Sequence, residues 1–412
     1  MSKMKKYFLI LLLACSLIVQ TSAQDAAAMQ RMQELNKLMQ TISQQIHEAF
    51  EKNDYALVAE LNYQGISMVD SNHDFLLSVM GSERQVESIK GYFYYDLACS
   101  YSRRGMNEGA LYHLGRAVAC DYNDWKHILE DHDLDNIRND ARTDSLIDVI
   151  RNRADYVKIL QEAAPYTTNE RRDTLPVFTY QPASDANLQR VKAYFDLDKV
   201  AGNGDEISKI KNVLKHIHNL IRHDGSNGNP EHLNAIDLAE ACKDGSRGLN
   251  CRGMAIVLNE CLLAMGIPSR YVTCMPKDYI NDCHVINAVW SSQLGKWLWI
   301  DPEFNAWVTD EQGNLLSIQE VRENLRNGTP VVLNKEANWN NQNEQTTEQY
   351  LYNYMAKNLY YLIVSANQEY GLEDHAVPNA AHWICLVPTG FTSSHTQRLV
   401  VSDDAWFWQA PQ

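Results

Sequence analysis

Nowhere in the 412 residues do two cysteines stand in a Cys-x-x-Cys pair. A zinc ribbon or a dithiol redox centre of that kind is therefore not signalled. Basic charge is also short: 37 lysines and arginines face 52 aspartates and glutamates, for a net charge of −15. That balance argues against nucleic acid or an anionic membrane as a partner. Beyond the first 23 residues no apolar run approaches the ~20 residues that span a bilayer. Asp131, Asp133 and Asp135 mimic the opening of a calcium loop. The sixth place, however, is Asn136 instead of glycine and the twelfth is Arg142 instead of glutamate. They read as a solvated approach to a helix, and no cofactor is expected.

What is present is the composition of an ordinary globular protein, 45% hydrophobic and 22% charged, in a chain long enough for two or three units. Lys3, Lys5 and Lys6 precede an apolar core from Tyr7 to Val19, and Thr21-Ser22-Ala23 resembles a small-residue cleavage site. Residues 1–23 are thus expected to be a signal peptide, and the protein to be exported to a periplasm or the cell exterior. Lipoprotein anchoring at Cys15, in the loose lipobox Leu12-Leu13-Ala14-Cys15, is the less favoured alternative. The other cysteines (Cys99, Cys120, Cys242, Cys251, Cys261, Cys274, Cys283 and Cys385) sit mostly inside apolar runs, where a thiol behaves as a small hydrophobe. A chain of this size buries a core without disulfides.

From Gln24 to Arg153 the pattern is helical. Tyr94, Leu97, Ala98, Tyr101, Gly105, Ala110, Leu114 and Ala117 alternate large and small residues at spacings that let two short antiparallel helices interlock around a turn at Gly105. The spacing resembles a tetratricopeptide repeat, and Ile46 to Met68 looks like a weaker copy. Such a module implies a protein partner. Residues 164–185, with three prolines, read as a linker carrying one short strand at 177–180. Next, Ile207, Ile210, Val213, Leu214, Ile217, Leu220 and Ile221 form a helical apolar stripe. His216 and His218 are two apart on that helix and point in different directions, so with His223 they are expected to be surface histidines instead of metal ligands.

The stretch from Gly248 to Val272 holds the most chemistry. A helix is expected from Asn250 or Cys251 to Met265, capped by Asn250 and stopped by Gly266 and Pro268. It is apolar nearly all round, as a buried central helix is. Cys261 lies among leucines in its third turn. Cys251 lies in the first turn, where unpaired amides and the positive end of the helix dipole favour a thiolate. A thiolate needs a base. Two strands are expected at 284–290 and 296–301, joined by the loop 291–294. If Trp290 pairs with Gly295, His284 faces Asp301 directly, and the carboxylate can hold the imidazole in one tautomer while its other nitrogen faces the thiol. Cys283 then points to the opposite side and is expected to be buried. A second oxyanion donor has only two weak candidates, Asn229 and Asn234.

These residues resemble a known family. Asn250-Cys251-Arg252-Gly253, Gly266-Ile267-Pro268-Ser269-Arg270-Tyr271-Val272, Cys283-His284-Val285 and Trp297-Leu298-Trp299-Ile300-Asp301-Pro302 resemble the core of the transglutaminase-like superfamily, over about 186–328. One departure is that Val285, Ile286 and Asn287 separate His284 from Ala288, where the family commonly has His-Ala-Trp. The resemblance implies an α+β, papain-like fold in which a central helix packs on an antiparallel sheet, preceded by the all-α helical module. It implies a triad of Cys251 as nucleophile, His284 as base and acid, and Asp301 as orienter. The expected activity is acyl transfer on peptide or glutamine amide bonds of a protein or peptide substrate, hydrolysis ahead of crosslinking. The alternative is a non-catalytic binding scaffold with a relic domain. The expected organisation is a leader at 1–23, a helical module at 24–163, a linker at 164–185, a catalytic core at 186–330 and an accessory region at 331–412. Trp299, Trp307, Trp339 and Trp383 are candidates to line a cleft.

Overall fold

The computed structural model describes residues 23–168, 172–225, 228–278, 283–374, 381–392 and 398–412. The expected leader and Cys15 lie outside the described residues, apart from Ala23. Chain contacts divide the protein into two units, one ending at Asp155 and the other beginning at Tyr156. The boundary therefore falls before the expected end of the helical module at 163.

The first unit is helical. Its main helices are α1 (Ala23–Glu51), α2 (Tyr55–Ser71), α3 (His73–Met80), α4 (Glu83–Arg103), α5 (Asn107–Ala119), α6 (Trp125–Glu130) and α7 (Ala141–Ala154). Aspartates start several of them: Asp54, Asp124 and Asp140 accept amide hydrogens from Leu57, His127 and Arg142. The turn between α4 and α5 holds Gly105 at φ +72°, a conformation that costs glycine little. Beyond it, Gly109 lies so close to the Tyr101 ring that a Cβ would come within 2.3 Å. Ala110, Leu114 and Ala117 are fully buried in the same seam. Asp131 is not the solvated residue expected from sequence. Its carboxylate accepts from the Tyr95 hydroxyl at 2.9 Å and the Asp133 amide at 3.0 Å, capping the short turn His132–Leu134.

The second unit is mixed α+β. Its sheet has six strands: β1 (Ser269–Met275), β2 (His284–Ser291), β3 (Lys296–Ile300), β4 (Tyr361–Ser365), β5 (Trp383–Leu386) and β6 (Leu399–Val401). The spatial order is β6-β5-β4-β1-β2-β3, antiparallel except for the β5–β6 pair. Residues 331–412, expected as an accessory region, thus supply three strands of the same sheet. Over β1 and β2 lies α10 (Cys251–Ala264), with α8 (Glu206–Leu220) and α9 (Ala235–Ala241) against its other side. Every residue of α10 from Gly253 onward is buried. Asn250 caps its start by accepting the Gly253 amide hydrogen at 2.9 Å.

The β2–β3 register differs from expectation. Trp290 pairs with Trp297 and Ser291 with Lys296, so the ladder is shifted by two residues from a Trp290–Gly295 pairing. The cause is a carboxylate far away in sequence. Glu206, at the start of α8, accepts from the hydroxyls of Ser291 and Ser292 and the amides of Ser292 and Gln293. The clamp holds a turn that runs from Ser292 to Gly295, one residue later than the expected loop 291–294, with Gly295 at φ +63°. A slip of two leaves each side chain on the face it would otherwise occupy.

One buried carboxyl of α10 makes stability depend on pH. Glu260 accepts from the Ala235 amide at 2.8 Å and the Gly371 amide at 2.9 Å, and burial pushes its pKa from 4.5 up to about 8. Between those values the folded chain keeps a proton that the unfolded chain has released. Stability should therefore fall as pH rises from about 5 to 8, with a contribution near 1.4 kcal/mol per pH unit for one proton. Glu260→Gln should remove that contribution. Urea unfolding across this range checks it, and an unchanged slope contradicts it.

Candidate active site

The first residue of β2 and the first residue of α10 meet at one end of the sheet. His284 and Asp301 have no solvent exposure, whereas Cys251 is partly open. His284 Nε2 lies 2.6 Å from Asp301 Oδ2, and because a carboxylate oxygen accepts, this nitrogen carries the hydrogen. The other nitrogen, Nδ1, is buried without a hydrogen-bond partner. Cys251, His284 and Glu303 present sulfur, nitrogen and oxygen atoms that all lie within 4.8 Å of one another.

Asp301 stands just past the end of β3. Its backbone exchanges hydrogen bonds with Ala306, at 2.9 and 3.0 Å. Its Oδ1 accepts from the amides of Glu303 (2.9 Å) and Phe304 (3.4 Å), and its Oδ2 also accepts from the Tyr350 hydroxyl at 2.5 Å. Tyr350 in turn accepts from Trp299 Nε1 at 3.1 Å. The carboxylate is therefore fixed by four donors, and the expected facing of His284 and Asp301 becomes a contact around a turn instead of across a ladder. Burial alone would lower the pKa of His284. The charge and hydrogen bond of Asp301, with the Cys251 thiol and Glu303 adding to them, outweigh it and hold the pKa well above the ordinary value.

Three groups were not legible as site residues from sequence. Tyr350 comes from a π-helical turn at Glu348–Met355. Glu303, two residues past Asp301, has its carboxylate 3.6 Å from His284 Nδ1 and 3.2 Å from His223 Nε2. Burial pushes its pKa up to about 8, so near neutrality it is an uncharged acid that does not compete with Asp301 for an imidazolium. His223 is driven down to about 4 by burial, assisted by the charge of His284. Its Nδ1 accepts from Trp339 Nε1 at 3.1 Å, which leaves the hydrogen on Nε2, towards Glu303. His218 is buried as well, against the Pro302 carbonyl at 3.1 Å and Asn338 at 3.0 Å. Neither is the surface histidine expected: His218 on α8 and His223, beyond its end, are both met by residues that follow Asp301.

The remaining candidates sort as follows. Asn234 spends its side chain on α9, accepting from the Asp237 amide and donating to the Asp237 carboxylate. Asn229 accepts from Asn250 Nδ2 at 2.9 Å and so steadies the cap of α10. Trp299 and Trp339 support the site through Tyr350 and His223, Trp307 stacks with Lys211, and Trp383 borders Arg252. Cys283 is half-exposed instead of buried, and its thiol feels the charges of Cys251 and Arg252. Cys251 and Cys283 both carry free thiols. Cys251, His284 and Glu303 are also the donor types a borderline divalent ion takes.

A partly open thiol at a helix start, beside an imidazole locked by a carboxylate, is a constellation suited to nucleophilic catalysis. Residues 195–302 match the family model of the transglutaminase-like superfamily, so this part of the chain is a transglutaminase-like domain. The match includes Cys251, His284 and Asp301 and stops before Glu303 and Tyr350. No curated protein and no solved structure matches the chain.

Proposed function

We propose that the protein is an exported thiol enzyme that transfers acyl groups through Cys251, His284 and Asp301, on peptide or glutamine amide bonds. The observation that carries this reading is the His284–Asp301 contact at 2.6 Å, with a ring nitrogen of His284 within 4.8 Å of the Cys251 sulfur and Nδ1 left without a hydrogen-bond partner. The chemistry follows from the tautomer. Nδ1 takes the thiol proton, the sulfur bonds to the substrate carbonyl carbon, and the first-turn amides of α10 face the developing oxyanion. As the C–N bond breaks, Nδ1 returns its proton to the departing amine and leaves an acyl-enzyme. Water or a second amine, deprotonated by the same nitrogen, then releases the acyl group.

Hydrolysis is favoured over crosslinking because water needs only a small space beside a ring that is already buried. An amine acceptor needs an additional channel. Export rests on the leader read in the sequence, and the helical unit is proposed to hold a protein partner in the manner of a tetratricopeptide module. Among the described residues no helix is long and apolar enough to cross a membrane.

Iodoacetamide at pH 6, followed by peptide mapping, tests the thiol. Cys251 should react about tenfold or more faster than the other seven cysteines, and His284→Ala should abolish the difference. Uniform labelling would leave only the binding scaffold. Incubation with a glutamine peptide and a primary amine then separates the two outcomes, since amine incorporation contradicts hydrolysis.

A further inference from the structure

The open side of the thiol has its own charge pattern. His284, Asp301 and Glu303 are closed off, whereas Cys251, Arg252, Cys283, Trp383 and Arg398 are each partly exposed. A substrate reaching the sulfur therefore comes past this second group. Arg252 follows the nucleophile in α10. Its Nη1 donates to Glu373 Oε1 and its Nη2 to Thr273 Oγ1, both at 2.8 Å. Thr273 neighbours Cys274, the β1 residue that pairs with His284, so the guanidinium is held at the same end of the sheet. It lies 5.8 Å from the centre of the Trp383 ring, and Arg398 lies 5.7 Å from the same ring.

The charges do not cancel. Glu373 is paired with Arg252, and Arg398, which lies against the indole and feels the charge of the same Glu373, has no ion pair or hydrogen bond of its own among the described residues. In a chain with a net charge of −15, two guanidiniums, those of Arg252 and the half-buried Arg398, here share one carboxylate and one indole near Cys283. Burial, and then the charge of Arg252, lower the pKa of Arg398; burial raises that of the Cys283 thiol, and the charges of Arg252 and Arg398 act against this rise. This side of the thiol thus carries two guanidiniums against one carboxylate. A planar guanidinium is suited to grip a carboxylate through two hydrogen bonds, and the indole offers a flat apolar wall for the carbon chain that bears it.

We propose that Arg398, Trp383 and Arg252 form a subsite for a carboxylate on the acyl donor, an acidic side chain or a free chain terminus next to the amide that Cys251 attacks. This rests on the acyl-transfer reading above and specifies its substrate class. The test compares two alkylating reagents at Cys251, both of which form an S–C bond with loss of iodide. Iodoacetamide is neutral and iodoacetate carries the carboxylate. The iodoacetate-to-iodoacetamide rate ratio at Cys251 should exceed that of glutathione about three- to tenfold, as one nearby unscreened charge implies. Arg398→Gln should return the ratio to the glutathione value, Arg398→Lys should retain most of it, and about 1 M salt should suppress it in the wild type. A fast Cys251 whose ratio matches glutathione, or is unchanged in Arg398→Gln, overturns the subsite alone. A Cys251 slow towards both reagents overturns the acyl-transfer reading and this one with it.

Discussion

Asp301→Asn should lower the turnover number about a thousandfold on any amide substrate while leaving KM nearly unchanged. The reason is the direction of one hydrogen bond. In the wild type Asp301 Oδ2 accepts from His284 Nε2 at 2.6 Å, so Nδ1 is bare and able to take the thiol proton. An asparagine amide in the same place can donate to Nε2. The ring hydrogen then moves to Nδ1, where it blocks proton transfer from Cys251. Tyr350→Phe is the graded control. It deletes the 2.5 Å hydroxyl contact to the same oxygen but leaves three donors in place, so a loss of about tenfold is expected. Turnover and the rate of Cys251 alkylation at pH 6 should fall in the same order. If Asp301→Asn keeps more than a tenth of wild-type turnover, the carboxylate does not set the tautomer.

The largest stability effect is expected at Arg270, in β1. Its guanidinium is fully buried and lies 3.9 Å from the Phe178 ring centre and 4.3 Å from that of Trp297. Nε donates to the Tyr180 hydroxyl at 2.6 Å, Nη1 to the Phe407 carbonyl at 2.6 Å and Nη2 to the Gln409 carbonyl at 3.3 Å. No carboxylate among the described residues pairs with it, and burial lowers its pKa. Arg270→Ala leaves those oxygens without donors and opens a gap between two aromatic rings. The unfolding free energy of the second unit should drop by about 3–5 kcal/mol. Arg270→Lys should recover little of it, since an ammonium has neither the fork nor the flat face. Tryptophan fluorescence isolates this unit during denaturation because eight of the nine tryptophans lie after Asp155. A loss under about 1 kcal/mol for the alanine variant would show that the contacts are not coupled to folding.

Local signals carried the parts of the fold that local chemistry decides. The Asn250 cap, the apolar run of α10 and the positive-φ turn at Gly105 each depend on a few neighbouring residues, and each was legible. The hairpin register was not, because Glu206 fixes it from 85 residues away. Tyr350 escaped for the same reason, at a separation of 49 residues from Asp301, and Trp339, a cleft candidate from sequence, has its partner His223 116 residues away. Glu303 is only two residues past Asp301, yet nothing in Asp-Pro-Glu-Phe signals that the carboxyl turns inward to lose its charge. Its role emerges only once burial is known. Asp301 illustrates the opposite case. The observed register differs by two from the expected one, but a shift by an even number keeps the face, so the His284 and Asp301 side chains still meet although they are not ladder partners.

The order in which the chain is made gives the strands β4 to β6 a further meaning. Nucleophile, imidazole and carboxylate all leave the ribosome before the tyrosine that steadies the carboxylate and before the strands that fill out half of the sheet. A partly synthesised chain thus carries the reactive groups without the scaffold that aligns them. The His284–Asp301 pair gains its Tyr350 donor only when the later segment has docked, so the geometry of the site is completed last.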